Sequence, residues 1–375
     1  MNNKMNIMNN SYLYVDMDIL RGNLESIAAS LPADCSIIPV LKDDAYGLGL
    51  CPVAAVLAEC ERVECFAVAH VSEGLALRAS GIGKDILVMG SPLPFQLESA
   101  ILTKLTLCAA SSESLALMDE AAGRLGMEAR IQIKLDIGLH RIGVDCGEEL
   151  DSFIETLKAC RNICCCGVFS HFSHAGNDEL CAEQYALFEK GVEKLSAAGI
   201  NTRPRHISCS ASSELYPQYS MDAVRLGRRL YMDSPDKPRG DIKELCSWRS
   251  YVTSVKERRA GDSLGYGSGF FLERDATVAT VGVGYGDGLD LRLFEKGEKI
   301  LINGQACTLL CCCMDQCMVD VSGVDCKAGD EVTFFGYDGK GGYIYAQELA
   351  MSIGANEGCA LTSALSSRVA RIYSE

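Results

Sequence analysis

Short apolar runs bounded by turn-formers recur along the first part of the chain, and stretches with apolar residues at three- and four-residue spacing separate them. The runs span residues 35–42, 65–70, 85–90, 105–110, 130–137, 167–171, 205–208 and 223–227. Amphipathic helical patterns fill 53–61, 72–80, 112–125, 150–160 and 179–198. Ahead of them, 12–16 reads as a short strand. Asp18 then reads as the cap of a helix over 19–29, with Leu20, Leu24 and Ile27 on one face. Strands alternating with helices in this way predict an α/β fold, a (β/α)8 TIM-like barrel. A doubly wound open sheet would need fewer strands and a Gly-rich phosphate turn after the first, and that turn is absent.

The rhythm stops near residue 231. Residues 233–240, rich in Pro and Asp, read as a linker. Beyond them, 248–255, 277–283, 299–303, 307–311, 318–321 and 331–335 are short strand-like runs, and Asn303-Gly304 is a strong hairpin signal. Only 346–353 reads as helix. The expected organisation is a tail and strand over 1–14 that joins the C-terminal domain, a barrel over 15–240, and a β-rich C-terminal domain over 241–375.

Composition narrows the function classes. A chain of 375 residues suits one barrel plus a smaller domain. The net charge of -15 argues against nucleic acid or an anionic membrane as partner, and no window approaches a membrane span. The first ten residues are polar and Asn-rich, without the apolar centre of a signal peptide, and read as a loose tail. Twenty cysteines in a long chain with no export signal point to reduced thiols in a cytoplasm. Cys164-Cys165-Cys166 and Cys311-Cys312-Cys313 are consecutive. Strand neighbours face opposite sides, so neither run presents three sulfurs to one metal, and no metal site is expected.

The residues that suggest chemistry fall at the carboxyl ends of the expected barrel strands, where barrel active sites lie. Lys42 ends the first run. A lysine there is costly to bury, and desolvation lowers its pKa and frees its lone pair for a Schiff base. Arg141 follows the fifth run, His171 ends the sixth, Ser210 and Ala211 follow the seventh, and Arg225, Gly227 and Arg228 close the eighth. Singly these read as a snorkelling lysine, rim arginines and a helix-capping serine; together they mark one rim. A phosphate fits between the last two loops, held by Ser210 and the amides near Gly227, with Tyr46 reaching from the first strand. Lys134 shares a strand face with Gln132 and Asp136.

The segment Val40-Leu41-Lys42-Asp43-Asp44-Ala45-Tyr46-Gly47 resembles the pyridoxal-phosphate lysine motif of the alanine racemase family. The likeness continues in order and spacing from about Tyr14 to the end. It runs through Lys134 to Gly143, His171-Phe172, His206 to Ala211, and Arg225 with Gly227 and Tyr231. It goes on through Gly265-Tyr266-Gly267, Gly284 to Gly288, Cys313-Met314-Asp315-Gln316 and Arg368 to Ile372. The resemblance implies a barrel and β domain binding pyridoxal 5'-phosphate, and a homodimer with shared active sites that supplies D-amino acid for the cell wall. By the same resemblance, Lys42 holds the cofactor as a Schiff base and is the base on one face of the substrate. Tyr266, from the second subunit, acts on the opposite face and needs a nearby cation to lower its pKa. Arg225 faces the pyridine nitrogen with His171 behind it, Arg141 and the Met314 backbone hold the substrate carboxylate, and Lys134 is a possible carbamylated lysine.

Three positions depart from the family pattern. Ser367 stands where a tyrosine usually precedes the Arg-Val-x-Arg-Ile run, which implies a roomier pocket that accepts serine as well as alanine. Arg228 and Cys209 replace an apolar residue and an Asn near the phosphate loop. The alternatives are a serine racemase of the glycopeptide-resistance type, a broader amino-acid racemase, and a non-catalytic pyridoxal-phosphate-binding protein.

Overall fold

The computed structural model describes residues 9–232, 240–355 and 357–374. The linker over 233–240, apart from its last residue, and most of the Asn-rich tail lie outside the described residues. The chain divides into two compact units. One comprises Arg21–Ala45 and Leu50–Leu230; the other comprises the chain up to Leu20, Tyr46–Gly49 and Tyr231–Glu375.

In the first unit the apolar runs form parallel strands. They are Ser36–Pro39, Cys65–Val68, Asp85–Val88, Thr106–Ala109, Ala129–Asp136, Ile163–Phe169, Arg205–His206 and Ala223–Leu226. The second to the seventh pair in sequence order, and the last pairs with the first from Ala223↔Ser36 to Leu226↔Pro39. Single parallel bridges close the two remaining gaps. Ile37↔Val63 and Val40↔Ala67 tie the first strand to the second, and Cys209↔Arg225 ties the seventh to the eighth. The eight strands thus make a closed (β/α)8 ring. Its wall is apolar: Phe66, Leu87, Leu107, Ile131, Ile133 and Val168 are fully buried. Burial on both faces is why these strands read as continuous apolar runs.

Two local features differ from the sequence reading, and a third carries no signal in it. The sixth strand starts at Ile163, because Gly167 does not open it; it sits inside it at a register shift, with φ +138 and no room for a Cβ against Pro204. Cys164 and Cys166 therefore lie on one face with sulfurs 3.7 Å apart, while the Cys165 thiol meets the Asn201 carbonyl at 3.2 Å. The first helix spans Met17–Ser30, and its cap is Asp16, not Asp18: the Asp16 Oδ1 accepts the Asp18 and Ile19 amides, each at 3.1 Å. The turn after Lys42 is left-handed, as described below.

The second unit is built on a nine-stranded sheet. Its longest strand, Cys246–Arg258, pairs antiparallel with Ser11–Val15, which pairs in parallel with Ala370–Tyr373. The Trp248 ring stacks on Phe334 at 4.5 Å, and its indole N–H donates to Ser11 Oγ at 2.7 Å. Asn303 and Gly304, at φ 51 and 79, turn Lys299–Ile302 back onto Gln305–Cys312 as the Asn-Gly pair predicts. Helix occurs at Ala346–Ser352 and also at Arg292–Glu295 and Cys359–Ser363, segments too short to carry a readable period. Among the described residues no helix is long and apolar enough to cross a membrane.

Candidate active site

The end of the first barrel strand is fastened on both sides. The Val40 amide donates to the Leu226 carbonyl at 2.7 Å, and the Leu41 amide to the Ala67 carbonyl at 2.8 Å. Lys42 follows, exposed. The next four residues, Asp43, Asp44, Ala45 and Tyr46, have φ of 57, 52, 54 and 58, one turn of left-handed helix. Such a turn costs about 1–2 kcal/mol per non-Gly residue, and it persists only where its surroundings hold it. Two carboxylates do so. Asp44 Oδ1 accepts the Leu50 amide at 2.7 Å. Glu73 Oε1 accepts the Asp43 amide at 2.6 Å, while its Oε2 accepts the amides of Ala69 and His70 at 2.8 and 3.0 Å. Glu73 thereby clasps the loops after the first two strands.

Across the ring, Arg225 is buried with 3% exposure and among the described residues meets no carboxylate. Its Nη1 donates to His206 Nδ1 at 2.6 Å and to the His206 carbonyl at 3.0 Å. Its Nη2 donates to the carbonyls of Ser170 and Ile207 at 2.6 and 3.0 Å and to His171 Nδ1 at 3.0 Å. These bonds occupy the two terminal nitrogens and leave Nε–H as the guanidinium's remaining donor. A guanidinium cannot accept, so both histidines accept through Nδ1 and carry their proton on Nε2. Burial first, then the Arg225 charge, holds both imidazoles well below their usual pKa and therefore neutral.

Lys134 lies in the same field. It is buried with 4% exposure, its Nζ 4.9 Å from the centre of the Phe169 ring. Burial, with Arg225 and Arg141 adding like charge, pushes its amine down to about 7. Lys42 and Arg141 also contribute to the potential at His171, so Lys42, Lys134, Arg141 and Arg225 form one basic rim around the neutral His171. Beside it, the Gly227 amide donates to Ser210 Oγ at 3.1 Å, at the start of the helix Ser210–Leu215. Cys209, not Ser210, holds the position before that helix. Arg228 is half-buried in the helical turn Arg228–Leu230.

The other expected site residues belong to the second unit. Tyr46 packs its ring 5.3 Å from Tyr231. Tyr266 is 80% and Met314 51% exposed, and Ser367 is exposed. These last three sit on connected loops. Gly265, at φ 73, lies where a Cβ would touch the sulfurs of Cys311 and Cys313. The amides of Tyr285 and Gly286 donate to the carbonyls of Cys313 and Met314 at 3.1 and 2.9 Å. Arg368, next to Ser367, bridges Asp287 at 3.1 Å and Asp315 at 2.6 Å.

Sequence reasoning gave no role to Glu73, Gln132, His206 or Arg368. The alternation of Gln132, Lys134 and Asp136 was the available signal for Gln132: all three are buried, and Gln132 meets His206 Nε2 at 2.8 Å. Glu73 left no signal, because a glutamate in the first turn of a helix is ordinary.

Polar groups this concentrated at the carboxyl rim of a closed barrel define an α/β barrel enzyme, here with a β unit following in the same chain. Comparison with known proteins names the family. Residues 15–235 match the family model "Alanine racemase, N-terminal domain", and 245–373 match "Alanine racemase, C-terminal domain". The alanine racemase of Geobacter sulfurreducens is 33% identical over 373 residues, 96% of each chain. An alanine racemase of Clostridium difficile 630 superposes with a TM-score of 0.91 at 32% identity, covering 98% of this chain and 97% of the other. One from Bacillus anthracis, solved with bound L-Ala-P, gives 0.91 at 27% identity, covering 98% and 96%. The chain belongs to the alanine racemase family, whose members depend on pyridoxal phosphate, and it is an amino-acid racemase, an isomerase.

Proposed function

We propose that this chain racemises alanine and serine, with Lys42 and Tyr266 as the bases on opposite faces of the substrate, in a homodimer whose subunits complete each other's sites. The observation that carries this reading is Arg225: a buried guanidinium held by neutral acceptors, with Nε–H left to donate, on the same rim as an exposed lysine amine. That donor suits the pyridine nitrogen of pyridoxal phosphate and, being permanently charged, keeps that nitrogen unprotonated. Lys42 would hold the cofactor, and Ser210, Tyr46, Arg228 and the Gly227 amide its phosphate, with His171 behind Arg225. When bound, pyridoxal phosphate supplies a conjugated system that accepts the charge left when the Cα–H bond breaks.

The protein's own groups do the rest. Arg141 and the Met314 backbone hold the substrate carboxylate. Lys42 takes or returns the α-proton at Nζ on one face, and the Tyr266 hydroxyl does so on the other. Lys134 is a candidate for carbamylation. With its amine at about 7, it is substantially uncharged at neutral pH, and the new anion would relieve the repulsion it feels from Arg225 and Arg141. The 80% exposure of Tyr266, with Met314 and Tyr285 exposed beside it, supports a site finished by a second subunit. The reading places the protein in a cytoplasm, with an amino acid as its small-molecule substrate.

Mixing two inactive variants tests this arrangement. Lys42→Ala and Tyr266→Phe homodimers each lack one base in every site. Their hybrid has one site with both bases, so random reassortment restores about a quarter of wild-type activity for a two-fold dimer. No recovery in verified hybrids would show that both bases come from one subunit.

A further inference from the structure

Arg225 can offer Nε–H to a ligand only while its terminal nitrogens are anchored, and one of those anchors depends on a residue outside the site. His206 is fully buried and stacked 5.3 Å from the Phe169 ring, and among the described residues the charges that act on it are those of Arg225 and Lys134. Its Nδ1 is 2.6 Å from Arg225 Nη1, and its Nε2 is 2.8 Å from Gln132 Oε1. The first contact requires a lone pair on Nδ1, which places the proton on Nε2. The second requires an acceptor that stays neutral, and a side-chain amide oxygen is one. A carboxylate there would stabilise the imidazolium, whose Nδ1–H would then oppose the guanidinium.

We infer that Gln132 is a positioning residue: by accepting a hydrogen bond from His206 Nε2–H it fixes the tautomer that holds Arg225, and so sets the direction of the arginine that faces the cofactor. This rests on the proposed role of Arg225. Gln132 is buried at 5% exposure, in the fifth strand beside Lys134, and touches neither reacting group nor the Ser210–Gly227 loop pair. The order along the chain of bonds is Gln132 Oε1, His206 Nε2–H, His206 Nδ1, Arg225 Nη1. Each member has one protonation state that satisfies both neighbours.

The test uses ring-15N-histidine labelling of the full-length protein, which has five histidines to assign. In the wild type, His206 should show a single neutral tautomer protonated at Nε2. Gln132→Glu should turn it into an imidazolium at pH 7. Gln132→Leu, near in volume and apolar, should leave the Nε2 proton unpaired and give a mixed or exchanging ring signal. In both variants kcat should fall by about tenfold while KM for the amino acid holds, since a tenfold loss is what one misdirected bond amounts to. Circular dichroism and cofactor absorbance identify the folded, loaded variants to which the comparison applies. An Nδ1-protonated His206 in the wild type overturns the inference, and so does a Gln132→Leu protein with wild-type ring signals and kcat. If the wild type races neither enantiomer, the role of Arg225 falls, yet the ring signals still decide whether Gln132 sets the tautomer.

Discussion

Removing the Glu73 carboxylate should release the strained turn that carries Lys42. The four left-handed residues store about 4–8 kcal/mol at 1–2 kcal/mol each. Glu73 opposes that strain by accepting the Asp43 amide, and the bonds from the Ala69 and His70 amides anchor its carboxylate for that contact. A bond to a charged acceptor contributes about 1.5–3 kcal/mol when buried; two of these are exposed and one is partly buried, so at most about 1 kcal/mol each is appropriate, about 3 kcal/mol together as an upper bound. Glu73→Ala should therefore lower the urea midpoint and, more locally, speed hydrogen exchange at the Asp43 amide by about tenfold for each 1.4 kcal/mol lost. The variant should also lose pyridoxal phosphate on dialysis faster than the wild type, because a relaxed turn no longer fixes Lys42. Glu73→Gln keeps one carbonyl oxygen and should fall between. The reasoning fails if Glu73→Ala matches the wild type in exchange at Asp43 and in cofactor retention.

Two further predictions concern pH and specificity. His171 and His206 stay neutral in the fold while unfolded histidine takes a proton near pH ~6.5, so the unfolded state binds more protons as pH falls. Stability should drop between pH ~6.5 and ~5 by up to about 1.4 kcal/mol per pH unit for each histidine, before most carboxylates titrate; a flat urea midpoint across that window would contradict the buried neutral pair. Ser367→Tyr should shift the kcat/KM ratio toward alanine over serine by about tenfold, and an unchanged ratio would remove Ser367 from specificity.

The barrel was legible because both faces of its strands are buried, which writes eight apolar runs into the sequence. Lys42, Arg225 and Ser210 could be assigned to one rim from the strand count alone, because the closed ring places strand ends together. The left-handed turn was not legible: Asp43, Asp44 and Ala45 have no glycine to announce positive φ, and of the two carboxylates that hold them one is Glu73, thirty positions away. His206 stood in a quoted motif and Gln132 on the strand face of Lys134, but their tautomer logic exists only once the closed barrel brings the imidazole, the amide and Arg225 together. Short helices such as Cys359–Ser363 escaped because one turn has no period.

The most direct test of the central claim follows L-alanine and L-serine separately with the cofactor-loaded enzyme in deuterated buffer, reading α-deuterium and D-enantiomer together. The account predicts deuterium at Cα accompanied by inversion with both amino acids, and neither in Lys42→Ala. Exchange with retention in the wild type would contradict a two-base site, and full activity in Lys42→Ala would contradict the role of the lysine around which the barrel rim is arranged.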